Sequence, residues 1–248
     1  MKPLAGPLAG QVALVTGASR GIGAATAVEL ARHGAHVILL ARTQGGLEET
    51  DDAIRALGGT ATLLPMDLMD GLALDPIGPS IAQRFGRLDI LIHAAATLGK
   101  LTPAGHIQPG DWEQVVGTNL TAAWRLIRTT DPLLRAAPAG RAVFLTDSLV
   151  HAPRAYWGAY GATKAGMEHL ALSWAAECAN TDLRVQLFDP GPVATRLRAN
   201  ALPGENTGPL PKPNAAAKEL LEQLLPPLPP GEGRGEGSNM NDTRGIGP

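Results

Sequence analysis

The chain has a single cysteine, Cys178, so no internal disulfide can form, and a lone thiol is compatible with a reducing compartment. Its expected place is the core, as a small hydrophobe. No apolar run approaches the roughly 18 residues that a membrane helix needs, and the opening MKPLAGPLAGQ has no apolar stretch of the secretory kind. A cytoplasmic protein is expected. Basic residues are not in excess: 21 Lys and Arg stand against 23 Asp and Glu, a formal net charge of -2. With no basic cluster either, nucleic acid and anionic membranes are not expected partners. The histidines lack partners at ligand spacing and no Cys/His cluster accompanies them, so no metal is expected.

What is present is a globular composition, 44% hydrophobic and 18% charged over 248 residues, enough to bury a sizeable core. Short β-rich runs recur: VALVTG at 12–17, HVILLA at 36–41, ATLLPM at 61–66, LDILIHA at 88–94, RAVFLT at 141–146 and LRVQLF at 183–188. Amphipathic segments separate them, beginning at 22–33, with the longest expected after Asn119 and after Tyr156. Six buried runs with crossover helices between them argue an α/β fold, a Rossmann-like doubly wound parallel sheet with helices on both faces. No composition break divides the first 190 residues. Residues 1–225 therefore read as one domain, with a Pro/Gly-rich loop at 201–213 and a short helical pattern at 215–225. The stretch at 226–248 is low-complexity and reads as a disordered tail.

The first run ends in TGASRGIG at 16–23, where a helix begins. Gly17, Gly21 and Gly23, with Ser19, Arg20 and Ile22 between them, would let backbone turn tightly against a pyrophosphate facing the helix start. Such a triplet can also be a plain structural turn. The second run ends in Ala41 and Arg42, with no acidic residue to hold the ribose hydroxyls of NAD. Arg42, with Arg20, suits a 2′-phosphate, which favours NADP over NAD; the alternative is two solvated arginines. Asp67 is placed to accept from an adenine amine or to cap a helix.

Tyr160 and Lys164 stand at i, i+4 in YGATK and share one helix face. An ammonium near the phenol would lower its pKa from about 10 and make it a usable acid and base.

With these motifs the sequence resembles the short-chain dehydrogenase/reductase family, over residues 8–213 and in the family's order: TGASRGIG, Asp67, the fourth-run end, Asn119, YGATK and DPGPVAT. The resemblance implies that Tyr160 is the acid/base and that Lys164 also holds the nicotinamide ribose. It further implies that Asn119 anchors a water relaying protons from Lys164. It puts Ala94 beside the cofactor, and Val193 and Thr195, following Pro190 and Gly191, against the nicotinamide carboxamide. The loop after Thr195 would close over substrate; its arginines, Arg196 and Arg198, either contact an acidic group or face water, and water is the favoured reading. A homodimer through the two long helices is implied as well.

Three features depart from the family pattern. His93-Ala94-Ala95-Ala96 stands where Asn-Asn-Ala-Gly is usual; the family's last strand is missing, leaving six; and Asp147 occupies the position thirteen before Tyr160 where a serine belongs, with Ser148 at twelve. A small bulge would bring Ser148 to the substrate oxygen and turn Asp147 toward solvent or a backbone N–H, and Ser148 is the expected substrate-side hydroxyl. The expected function is an NADP-dependent oxidoreductase interconverting a carbonyl and a secondary alcohol of a small molecule. The alternative is a catalytically impaired nucleotide-binding relative. A methyltransferase on a similar sheet would leave Tyr160 and Lys164 unexplained.

Overall fold

The computed structural model describes residues 5–225. The tail expected at 226–248 lies outside them. Buried runs and crossover helices alternate as β1 (Val12–Thr16), α1 (Gly21–Arg32), β2 (His36–Ala41), α2 (Gln44–Ala56), β3 (Thr60–Pro65), α3 (Gly71–Leu74), α4 (Ile77–Phe85) and β4 (Ile90–His93). The second half adds α5 (Pro109–Val116), a π turn (Gly117–Thr121), α6 (Ala122–Ala136), β5 (Arg141–Leu145), α7 (Gly158–Glu177), β6 (Arg184–Phe188), α8 (Arg196–Ala201) and α9 (Pro213–Leu224). Among the described residues the six strands form one sheet in the order β3-β2-β1-β4-β5-β6, every pair parallel.

Parallel strands covered on both faces must be apolar on both, and VALVT of β1 is buried at every position. One core layer lies under α1, α2 and α9, around Leu30, Leu39, Ile54 and Leu221. The other lies under α4, α6 and α7, around Leu14, Phe144, Leu126 and Trp174, and takes in Cys178 as expected. Polar anchors fix the central strands. The buried carboxylate of Asp89, just before β4, accepts the Val12 N–H at 2.9 Å and is held by the Arg87 guanidinium at 2.5 and 2.9 Å. The chain reverses direction across the sheet between β1 and β4, which opens a crevice beyond their C-terminal ends. The segment after Thr195, read as a loop, carries the short helix α8.

Candidate active site

A cleft of about 1030 Å³ runs along the C-terminal ends of the strands. Its floor at β1 is the glycine turn. Gly17 has φ +68° and a Cβ there would sit 2.9 Å from the Ala95 backbone, while a Cβ on Gly23 would meet the Gly17 carbonyl oxygen at 2.4 Å. Any larger residue would force α1 away from β1 and β4. Arg20, at the N-cap of α1, gives no side-chain cap, so the first N–H groups of that helix remain available to a ligand beside Ser19, Gly21 and Ile22. Arg42 follows β2 and stands 3.8 Å from the Asp67 carboxylate. Asp67 also accepts the Met69 N–H at 3.0 Å, so it shapes its own turn while lining the cleft.

At the end of β4 the family's asparagine brace is replaced by other groups. The β1–β4 register sets Thr16 opposite His93, and their side chains meet at 3.0 Å, Oγ1 to Nδ1. The same hydroxyl oxygen accepts the Ala95 N–H. The other ring nitrogen, Nε2, has no hydrogen-bond partner among the described residues. Burial, reinforced by the Lys164 charge, lowers the His93 pKa to about 3, so the ring is neutral. Asn119 supplies a second brace: its side chain accepts the Thr97 N–H at 2.8 Å and donates to the Thr97 carbonyl at 2.9 Å and to Thr163 at 3.1 Å. The π turn that carries Asn119 widens the helix locally, a feature often found where function needs it. Ala94 lines the cleft with Ala95, Ala96 and Thr97.

Tyr160 and Lys164 enter from the first turns of α7, 3% and 4% exposed. Lys164 Nζ donates to the Leu145 carbonyl at 2.7 Å. Burial lowers its pKa to about 8, with Asp147 and Glu168 opposing that fall. The expected lowering of the Tyr160 pKa is reversed. Burial is the larger cause and Asp147 the next, and both drive it upward, so Tyr160 is a neutral phenol.

The expectation for Ser148 and Asp147 is likewise corrected. Tyr160 donates its hydroxyl to the Asp147 carboxylate at 3.2 Å. Ser148 lines the same cleft, opens a 3-10 turn (Ser148–Val150), and has its N–H captured by Asp189 at 3.0 Å. Burial disfavours the Asp189 charge, but hydrogen bonds from the Ser148 hydroxyl and from the Gly191 and Ser148 N–H groups outweigh it and lower the pKa. Behind the site Glu168 accepts from Thr146 and lies 2.9 Å from His151 Nε2.

The far wall follows β6. Pro190, Gly191, Val193 and Thr195 line the cleft, Val193 buried and Thr195 capping α8 by accepting the Arg198 N–H at 3.2 Å. Arg196 is exposed as expected. Arg198 is not: it makes a two-pronged pair with Glu205, both contacts 2.6 Å, and its charge is also felt by Asp147. Three residues that shape this site were not singled out from sequence, namely Thr97, Glu168 and Glu205. His93 was marked there only as part of the departure at the end of the fourth run.

The short chain dehydrogenase family model matches residues 11–206. The chain belongs to the short chain dehydrogenase family. Among curated relatives, the uncharacterized oxidoreductase YciK of Escherichia coli K12 is 35% identical over 79% of each chain. A short chain dehydrogenase structure from Salmonella enterica serovar Typhi is 32% identical at TM-score 0.84, covering 90% of this chain and 93% of that one. A metagenomic short-chain oxidoreductase solved in complex with NADP is 32% identical at TM-score 0.76, covering 88% and 91%. As a short chain dehydrogenase the protein is an oxidoreductase on the Rossmann-like sheet. Among the described residues no helix is long and apolar enough to cross a membrane.

Proposed function

We propose that this short chain dehydrogenase is an NADP-dependent oxidoreductase that moves a hydride and a proton across a double bond between carbon and a heteroatom, with Tyr160 as the proton donor. The carbonyl and secondary alcohol expected from sequence are the oxygen case of this reaction. One observation carries the reading: the buried Tyr160–Lys164 pair and the glycine turn with its two arginines line a single cleft. The NADP bound by the metagenomic relative supports the choice of dinucleotide.

The residues present fit that group. Gly17, Ser19, Arg20, Gly21, Ile22 and Gly23 would hold the pyrophosphate on the start of α1, Arg42 and Arg20 the 2′-phosphate, and Asp67 the adenine. Ala94, Pro190, Gly191, Val193 and Thr195 would flank the nicotinamide. When bound, the cofactor supplies two electrons as hydride. The chain's own part is the proton. Tyr160, neutral because burial and Asp147 keep it so, has a hydrogen to give to the substrate heteroatom. Lys164, tied to the Leu145 carbonyl, carries its charge below pH about 8 and steadies the phenolate left behind. Asn119 holds the Thr97 backbone at the cleft wall, a positioning role. A small-molecule substrate and a cytoplasmic setting complete the reading.

Tyr160→Phe should retain NADPH, measured by its fluorescence, and lose turnover on ketones, aldehydes and imines by about 10²-fold or more. Unchanged turnover would remove Tyr160 from the reaction. The Asp147 contact favours a second reading, binding without turnover. Under it the wild type binds NADPH and consumes none on any of the three substrate classes.

A further inference from the structure

The group set against the proton donor is a carboxylate. Ketone reduction builds negative charge on oxygen, and Asp147, accepting from Tyr160 at 3.2 Å, stands where that charge would grow. Like charges in a buried cleft oppose each other strongly, and a carboxylate has no proton to give an oxyanion. Four carboxylates act on the site, Asp147 and Asp189 on Tyr160, Glu168 on Lys164 and Glu205 on Arg198. Lys164, Arg196 and Arg198 line the same cleft, and Arg198 is engaged by Glu205 at 2.6 Å. An apolar cluster that includes Leu98, Leu101, Trp157, Ala201 and Leu202 also lines this end of the cleft.

An apolar pocket with a carboxylate at the reacting atom suits a hydrophobic cation whose charge disappears on reduction. We propose that the substrate is a carbon–nitrogen double bond, an imine reduced as its iminium ion, with Asp147 accepting the N–H and pairing with the positive charge. This deepens the proposed oxidoreduction and rests on it. The balance is simple. A hydride from the reduced nicotinamide dinucleotide bonds to the imine carbon, the C=N π pair withdraws to nitrogen, and the dinucleotide is oxidised by two electrons. Where the imine arrives neutral, the Tyr160 hydroxyl supplies the proton to nitrogen. No oxyanion forms on the substrate. The product is a secondary amine, which takes up a proton in water and leaves the carboxylate as a cation.

The test pairs two small five-membered-ring probes, 2-methyl-1-pyrroline and 2-methylcyclopentanone, with the full chain and NADPH. For the wild type kcat/KM should favour the imine by at least about tenfold, and Asp147→Ser should reverse the order, losing imine and gaining ketone reduction, each by about tenfold, the worth of one hydrogen bond to a charged group. A second readout needs no turnover. The 2-methylpyrrolidinium ion, titrated calorimetrically into the NADP-bound protein, should bind about tenfold more weakly to Asp147→Asn, while neutral 2-methylcyclopentanol should bind both alike. Equal or better wild-type use of the ketone, or unchanged binding of the cation to Asp147→Asn, overturns the substrate class and leaves the oxidoreductase reading standing. Absence of NADPH consumption with both probes and with the carbonyl panel overturns both.

Discussion

His93 has three constraints acting on one ring. It ends a buried strand, its Nδ1 shares a hydrogen bond with the Thr16 hydroxyl, and it stands near the Lys164 ammonium. A cation there would lose its hydration and face a like charge, so the folded protein keeps it neutral to pH about 3, whereas in the unfolded chain it takes up a proton near 6.5. Between those values the unfolded state binds the extra proton, so stability falls as pH drops below 6.5 and stops falling near 3. At pH about 4.5 the loss from this residue should be about 2–3 kcal/mol relative to neutral pH. His93→Asn keeps a polar side chain that does not titrate in this range. Urea unfolding of both proteins across the window should show the wild type losing stability faster, by that difference. Parallel pH profiles would mean that the ring is solvated or protonates in place.

Two element ends carry the proposed choice of dinucleotide. The C-terminal end of β2 delivers Arg42 and the N-terminal end of α1 delivers Arg20, while Asp67 beyond β3 holds the Arg42 guanidinium at 3.8 Å without burying it. Arg42→Ala should weaken NADPH binding by about ten- to a hundredfold and spare NADH, since only the phosphate offers it charge-assisted bonds. Equal losses for both dinucleotides in a fluorescence titration would assign Arg42 to holding the β3 turn. This part of the cleft was legible from sequence because each residue sits at a strand end, and strand ends were marked by apolar runs stopping at Gly17, Arg42 and Asp67. The helix that carries the proposed proton donor was legible for a similar reason, through the i, i+4 spacing of Tyr160 and Lys164. What could not be read depended on partners distant in the chain. Ser148 is held through its N–H by Asp189, 41 positions later, His93 is fixed by Thr16, 77 positions earlier, and Arg198 is drawn from water by Glu205 in a segment read only as loop. Strand alternation alone left Asp147 and Ser148 as rivals for one position, and the hydrogen bond that separates them is tertiary.

For the whole molecule, α6 and α7 pose a question of burial. They are locked together internally, with Asp131 of α6 accepting from both Trp174 Nε1 and Arg135 Nε at 2.7 Å. Their outer faces are a different matter. A helix with a single covered face shows a polar stripe on the other. The outward side of α7 instead carries Gly158, Ala162, Ala165, Leu172 and Ala176 exposed, with His169, Ser173 and Glu177 as its polar members. Beside it α6 presents Trp124, 45% exposed, and Leu172 of α7 is 53% exposed. An aromatic residue, a leucine and small residues that allow close helix approach make a self-complementary surface of the kind a two-fold interface buries, with an aromatic anchor near its middle. The expected assembly is a homodimer through α6 and α7. Light scattering on the eluting protein should therefore give twice the 25.7 kDa chain mass at micromolar concentration. Leu172→Glu combined with Trp124→Glu would place charge in the centre of that face and should yield the monomer mass, with NADPH still bound because neither residue lines the cleft. A double variant that still elutes as a dimer would assign the subunit contact to another surface.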